Sequence, residues 1–382
     1  MITTANRLNT IKEYYFSSKL REVNHLISLG KPIINMGIGS PDLKPSPEVI
    51  QAMQDAMQDN IAHQYQSYQG ITELREEIAH FYQRNFNVKL DSNAEVLPLM
   101  GSKEGIMHVS MAFLNEGDHV LIPNPGYPTY DSVTKLVGAK SVFYDLLASN
   151  NWEPDFEYLE TLDLKAVKIM WVNYPHMPTG AVGSLALFQK IVDFGNKHAI
   201  LIINDNPYSF VLNESPTSIF EANGAREIAL ELNSLSKTYN MSGWRVGMLT
   251  GNSRNIAAVL KIKSNMDSGM FYGIQKGAIA ALKSDKAWFD NLNSIYSKRR
   301  DLIYQLADLL KCTYDRKAVG MFVWAKLPDD GEDAEKFIDD ILYKNDVFIT
   351  PGTIFGSNGN GYIRFSLCVS EKNINEAIRR IE

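Results

Sequence analysis

The stretch 228-IALELNSLSKTYNMSGWRVG-247 organises the chain. It opens as an alternating apolar run, breaks into Ser234-Leu235-Ser236-Lys237, and then carries Gly243-Trp244-Arg245-Val246-Gly247. The run predicts a buried strand, with Lys237 just past its carboxyl end. A desolvated lysine beside a second cation gives up its proton more easily and becomes a nucleophile toward aldehydes. Arg245, eight residues on, supplies that cation. With the hydroxyls of Ser234 and Ser236 its guanidinium also makes a phosphate receptor, because the planar fork grips a phosphate with two parallel donors. An aldehyde and a phosphate on one small molecule describe pyridoxal 5'-phosphate (PLP).

Upstream, Ile200 to Ile203 is a near-continuous apolar run ended by Asp205, with Tyr208 three residues further. Such a run predicts a parallel strand covered on both faces. A carboxylate at its end is costly unless paired, and a protonated pyridine nitrogen is a suitable partner. Asp205 and Lys237 lie 32 residues apart, one strand–helix–strand step. That step brings both to the carboxyl edge of neighbouring strands, where ligands of open α/β sheets bind. Further upstream, a strand runs into Gly101-Ser102-Lys103 ahead of a predicted helix. Free N–H groups and the positive dipole end there make an anion site. Lys103 is either a second phosphate contact or a solvated charge. Gly37 and Gly39 bracket a tight passage before Pro41 and Asp42, allowing close approach of backbone to a ligand; a plain turn accounts for the pair equally well. Near the end, Arg364 sits inside the apolar strand YIRFSL, and a buried arginine needs an anionic partner.

From about residue 30 to 370 the sequence resembles the class I/II aminotransferases, fold-type I PLP enzymes. The resemblance rests on the Ser-x-Ser-Lys-x(7)-Arg frame and on GSKEG, PGYPTY, SNMDSG and the late Arg-Phe-Ser. It is nearest to the branch of LL-diaminopimelate and broad amino-acid aminotransferases. The resemblance implies an α/β fold: a large domain whose mostly parallel sheet is covered by helices, plus a smaller α/β C-terminal domain. It implies that Lys237 carries PLP as an imine and moves the substrate's Cα proton. Asp205 then pairs with the ring nitrogen, Tyr208 donates to the ring oxygen and Tyr127 stacks on the ring. Gly101, Ser102, Lys103, Ser234, Ser236 and Arg245 surround the phosphate, and Gly39 and Arg364 receive the substrate carboxylate. Tyr65 would cross a homodimer interface to the neighbour's cofactor, and Ser268 is a weaker candidate for the same reach. One departure stands out. The family's Asn-Pro-x-Gly asparagine, a donor to the ring oxygen, is here Met177, which has no N–H to offer. Asn173 and His176 are the neighbours placed to substitute, and spacing does not choose between them.

The expected reaction is ping-pong transfer of an amino group between an L-amino acid and a 2-oxo acid, with glutamate and 2-oxoglutarate as one pair. The absence of arginine between residues 255 and 298 argues against an aspartate-type site. A carbon–sulfur lyase or decarboxylase of the same fold, and a non-catalytic PLP-binding protein, are the competing readings. The glycine pairs do not make a dinucleotide fingerprint, and GSNGNG at 356–361 lacks the ending of a phosphate loop; a flexible loop is expected there. At 382 residues the chain suits two domains, on a prior of roughly 150 residues each. The expected division is an N-terminal arm and part of the small domain (1–45), the large PLP-binding domain (46–285), and an interdomain helix with the small domain (286–382). A net charge of −6 gives no reason to expect nucleic acid or an anionic membrane as partner. Cys312 and Cys368 show neither a disulfide framework nor metal-ligand spacing, so buried free thiols, no metal, and a cytoplasmic setting are expected.

Overall fold

The computed structural model describes residues 2–11, 15–328 and 333–382. Its strands are β1 (Ile34–Asn35), β2 (Val96–Leu99), β3 (His119–Asn124), β4 (Lys140–Asp145), β5 (Val167–Val172), β6 (Leu201–Asp205) and β7 (Ala229–Ser234). They continue as β8 (Gly247–Gly251), β9 (Thr313–Tyr314), β10 (Phe322–Lys326), β11 (Val347–Phe348), β12 (Thr350–Pro351) and β13 (Tyr362–Ser366). Seven of them form the large sheet, in the order β2-β8-β7-β6-β5-β3-β4. Only β8 runs against its neighbours; β4, β3, β5, β6 and β7 are parallel.

The strands send alternate side chains into two separate cores. Leu121, Met170, Ile202 and Ala229 pack on one face, while Val120, Ile122, Trp171, Ile203, Leu230 and Leu232 pack on the other. Helices cover both faces, which is why these strands read as apolar runs. Even Glu231 on β7 is fully buried. Its carboxylate accepts from Asn204 Nδ2 (2.8 Å), Ser218 Oγ (2.9 Å) and Ile219 N (3.1 Å), so its burial is compensated.

The smaller sheet, β12-β13-β10-β9, is antiparallel. Separately, β1 pairs in parallel with β11, bringing the N-terminal segment against the C-terminal part. The 24-residue helix Lys286–Leu309 packs on the last helix, Glu371–Ile381.

Several local expectations need correction. The spacing of Ile11, Tyr14, Tyr15, Leu20, Val23, Leu26 and Ile27 predicts a helix over residues 10–30; the observed helix spans Tyr15–Ser28, preceded by a 3-10 turn at Asn6–Thr10, and Tyr14 lies outside the described residues. The sequence after Gly70 predicts a helix from about residue 72 with Thr72 as its N-cap; Ile71 occupies that position instead, and the Thr72 hydroxyl accepts from Arg75 Nη2 at 3.2 Å. The glycine-rich stretch at 356–361 is no free loop. Ser357 and Asn358 bind Asn124 and Asp145 at the ends of β3 and β4, at 2.8 to 3.2 Å. Asparagine and serine side chains there satisfy strand-end groups that glycine spacing does not foretell.

Candidate active site

The carboxyl ends of β2, β3, β5, β6 and β7 and the start of antiparallel β8 share one edge of the large sheet. Against that edge stand the N-terminal segment around Gly39 and the small-sheet residues Phe322 and Arg364. Between them lies a pocket of about 370 Å3.

At one end of the pocket is a cup built of backbone. Gly101 caps the helix Ser102–Phe113 with φ 88° and ψ 154°, a region open in practice only to glycine. The Arg245 fork lies directly over it: a Cβ on Gly101 would stand 2.2 Å from Arg245 Nη2. Gly247 is pressed just as closely, since a Cβ there would be 2.7 Å from the Ser102 amide nitrogen. The Ser234 hydroxyl is committed to this turn, accepting from Ser236 N at 3.1 Å and donating to the Val246 carbonyl at 3.3 Å. Ser236 is buried in the pocket wall, and Lys103 lines the same end with an exposed side chain. The helix is held from behind. Glu104 accepts from Met100 N at 2.6 Å, and His108 Nε2 lies 3.1 Å from Glu104. Asp267 completes that cluster, but it already pairs with fully buried Lys263 at 2.7 Å. The Lys263–Asp267 ion pair thus stands beside the Glu104–His108 contact. The cup has the chemistry of a phosphate site: a helix N-terminus, two serines and an arginine around glycines that leave room.

Asp205, at the end of β6, is buried with Tyr130, whose hydroxyl donates to Oδ2 at 2.8 Å. Its Oδ1 is buried with no hydrogen-bond partner among the described residues. Burial pushes the carboxyl up to about 6, and the Tyr130 hydrogen bond only partly offsets it. An orphaned acceptor on a carboxyl of this kind fits the N–H of a protonated pyridine. Tyr130 in turn stacks on Trp171, with ring centroids 4.8 Å apart and planes 6° from parallel. Tyr127 stands edge-on to Tyr130 at 5.6 Å and presents its own face to the pocket. Tyr208 lines the pocket too, and burial raises its hydroxyl well above the usual range, so it is a neutral donor.

Lys237 sits in one helical turn directly after β7, beside the Asp205 strand. Its amine donates to the Gly39 carbonyl. Burial lowers its pKa, and the charges of Arg364 and Arg245 push the same way against an opposing contribution from Cys368. Arg364 projects from β13, where Nη2 donates to the Gly37 carbonyl at 2.8 Å and Nη1 lies 3.5 Å from Met177 Sδ. Its guanidinium is sandwiched over the rings of Phe322 (4.0 Å) and Phe355 (4.7 Å). The tight Gly37–Gly39 passage is real. A Cβ on Gly39 would strike Phe322 at 2.5 Å, and one on Gly37 would strike Phe348 at 2.6 Å.

Of the two neighbours named for Met177, Asn173 lines the pocket and His176 does not. The Asn173 amide donates to the Asp205 carbonyl and its oxygen accepts from Met177 N at 2.8 Å. His176 lies away from the pocket lining, with Nδ1 on Thr179 at 2.8 Å, and burial lowers its pKa to about 3. Tyr65 is not brought to this chain's pocket: it is 91% exposed. Ser268 is exposed as well. Tyr130, Phe322 and Phe355 escaped the sequence reading. Tyr130 had a signal, as the second tyrosine of PGYPTY; the two phenylalanines had none.

Comparison with known proteins agrees with this geometry. Residues 31–381 match the family model of aminotransferase class I and II. An LL-diaminopimelate aminotransferase of Nitratidesulfovibrio vulgaris is 39% identical over 381 residues, covering 99% of this chain and 98% of that one. Substrate-bound BacF from Bacillus subtilis superposes with a TM-score of 0.95 at 34% identity, over 100% of this chain and 97% of that one. An aminotransferase from Staphylococcus aureus gives 0.90 at 30% identity, over 99% and 98%. With an anion cup, an acid with an unpartnered oxygen and a lysine of lowered pKa in one pocket, the chain belongs to the class I/II aminotransferases, PLP-dependent enzymes of fold type I related to the LL-diaminopimelate aminotransferase branch.

Proposed function

We propose that this enzyme moves an amino group between an L-amino acid and a 2-oxo acid in two half-reactions, with glutamate and 2-oxoglutarate as one pair. The observation that carries the reading is the neighbourhood of Lys237 and Asp205, at the ends of adjacent parallel strands, the lysine with a lowered pKa and the acid with an unpartnered oxygen. In this reading Gly101, Ser102, Ser236 and Arg245 hold the phosphate, with Ser234 fixing the turn and Lys103 at its rim. Asp205 meets the ring nitrogen, Tyr208 the ring oxygen and Tyr127 the ring face, while Asn173 keeps the Asp205 strand end in place. Arg364 receives the substrate carboxylate, helped by the backbone at Gly39. Lys237 Nζ takes the proton from the substrate Cα. Bound PLP supplies the electron sink for the pair left behind.

The LL-diaminopimelate named for the relatives is one candidate amino donor. We further propose a homodimer in which Tyr65 reaches the neighbour's phosphate, a cytoplasmic setting consistent with the buried free thiols Cys312 and Cys368, and a large domain at 46–285 between the arm and the small domain. No helix among the described residues is long and apolar enough to cross a membrane.

The test is the visible spectrum of the purified protein with L-amino acids added one at a time and no oxo acid. Conversion to the pyridoxamine form supports the reading. An unchanged cofactor with pyruvate, ammonia or carbon dioxide released would make the protein a lyase or decarboxylase instead. No chromophore after PLP is added would remove the role of Lys237 altogether.

A further inference from the structure

Two cations of the pocket rest on one short strap of backbone. Arg364 Nη2 donates to the Gly37 carbonyl at 2.8 Å, and the Lys237 amine donates to the Gly39 carbonyl. Whatever holds the strap therefore sets where both carbonyls stand, and its two halves are held by different parts of the molecule. The Gly37 half is fastened to the small-sheet region. Met36 N donates to the Phe348 carbonyl and Ser366 N to the Met36 carbonyl, each at 2.8 Å. The Thr350 hydroxyl adds a bond to the Gly37 carbonyl at 3.0 Å.

The Gly39 half is held from its far end, at Asp42. The Asp42 carboxylate accepts both arms of the Arg299 fork, Nη1 at 2.7 Å and Nη2 at 2.9 Å. Nη1 also donates to the Leu367 carbonyl at 3.0 Å, just past the strand that carries Arg364. Arg299 is buried on the long helix Lys286–Leu309. A two-armed pair between charged groups is among the stronger hydrogen-bonded contacts and fixes geometry as well as charge. Single contacts supplement it: Ser40 Oγ lies 3.2 Å from Ser242 Oγ, and Asn240 Nδ2 donates to the Lys44 carbonyl at 3.2 Å. Asp42 and Arg299 do not line the pocket themselves.

We propose that Asp42 and Arg299 form a positioning pair for the reaction: together they hold the Gly39 carbonyl against Lys237, and so set the direction from which its amine meets the substrate Cα. The inference rests on the role proposed above for Lys237. A neutral amine that gives one N–H to a fixed carbonyl has its lone pair turned away from that carbonyl, toward the pocket. Proton transfer is sensitive to such placement, and a displacement of about 1 Å can cost about a hundredfold in rate. The Gly37 carbonyl keeps its own fastenings, so loosening Asp42 affects Lys237 and leaves the carboxylate-binding Arg364 in place.

The test compares the PLP-loaded protein with its variants D42A, D42N and R299K. Single-turnover conversion with L-glutamate, carrying hydrogen or deuterium at Cα, reads the proton step. Glutarate, which has the carboxylates without the amino group, reads carboxylate binding through the cofactor's visible absorbance. In D42A the conversion rate should fall at least about tenfold and the deuterium isotope effect should rise, while glutarate affinity stays within about twofold. R299K keeps the charge without the fork and should behave like D42A. D42N keeps one acceptor oxygen and should recover part of the rate; if D42A does not fold, D42N and R299K carry the same comparison. A rate and isotope effect unchanged in the variants, or a loss of glutarate affinity as large as the loss of rate, would overturn the positioning role. If the unaltered protein does not convert with glutamate, the role of Lys237 fails first and takes the pair's role with it.

Discussion

At the scale of single residues, Met177 and Asp205 carry the sharpest consequences. His176 is held by Thr179, while Asn173 gives one of its two amide N–H groups to the Asp205 carbonyl and lines the pocket. In the proposed reading Tyr208 donates to the ring oxygen, and Asn173 is the side-chain amide beside it. Met177→Asn adds an N–H that favours the anionic oxygen, so the pH midpoint of the bound cofactor's visible absorbance should fall. A midpoint that stays put would mean that the role is already filled. Asp205 predicts a pH dependence of the cofactor-free protein. Its carboxyl is raised from 3.8 to about 6. Folding therefore favours the protonated form, and stability declines as pH climbs from the lower value through the higher one. The loss amounts to at most about 3 kcal/mol. Thermal unfolding of cofactor-free protein at several pH values should show the decline. Asp205→Asn and PLP loading should each flatten it, the first by removing the charge and the second by pairing it.

At the scale of elements, the phosphate cup depends on a backbone geometry that only glycine supplies at position 101. Gly101→Ala adds a strained conformation costing about 1–3 kcal/mol and drives a methyl into the Arg245 fork. PLP affinity, measured by equilibrium dialysis, should weaken at least about tenfold, while the far-UV circular dichroism of the folded protein stays unchanged. The strand β7 shows how an element can be read correctly for an incomplete reason. Its alternation points Glu231 and Asn233 away from the Leu230 and Leu232 core, as expected of a strand with a polar face. Helices cover that face too, so both residues are buried: the Glu231 carboxylate is hydrogen-bonded and the Asn233 oxygen accepts from Ser234 N.

At the scale of the whole molecule, the proposed dimer can be tested at the segments that carry Tyr65, Met266 and Phe271. Tyr65, Met266 and Phe271 are 91%, 60% and 40% exposed. Their segments meet through Gly269, where a Cβ would stand 2.4 Å from the Gln66 carbonyl. In the proposed dimer the second copy covers these side chains. Sedimentation should therefore give a dimer, and the double variant F271D/M266D should shift it toward monomer and release PLP, because Tyr65 no longer reaches the neighbouring site. A dimer that persists in this variant with full cofactor content would argue against that surface.

The sequence by itself determined the chemistry that is local along the chain. Lys237 and Arg245 share one loop, and Asp205 precedes them by a single parallel crossover, so strand patterning brought all three to one sheet edge. Gly101 and Ser102 were legible for the same reason, as a turn feeding one helix. Contacts between segments far apart in the chain were decided only by the tertiary structure. Tyr130 meets Asp205 across 75 positions, and Arg364 lies against Met177 across 187. The rings of Phe322 and Phe355 enclose that arginine from two different elements of the small sheet region. Hydrophobic periodicity specifies which face of an element is buried, but not which residues of another element it meets. The surroundings of Asp205 and Arg364 arise from those meetings.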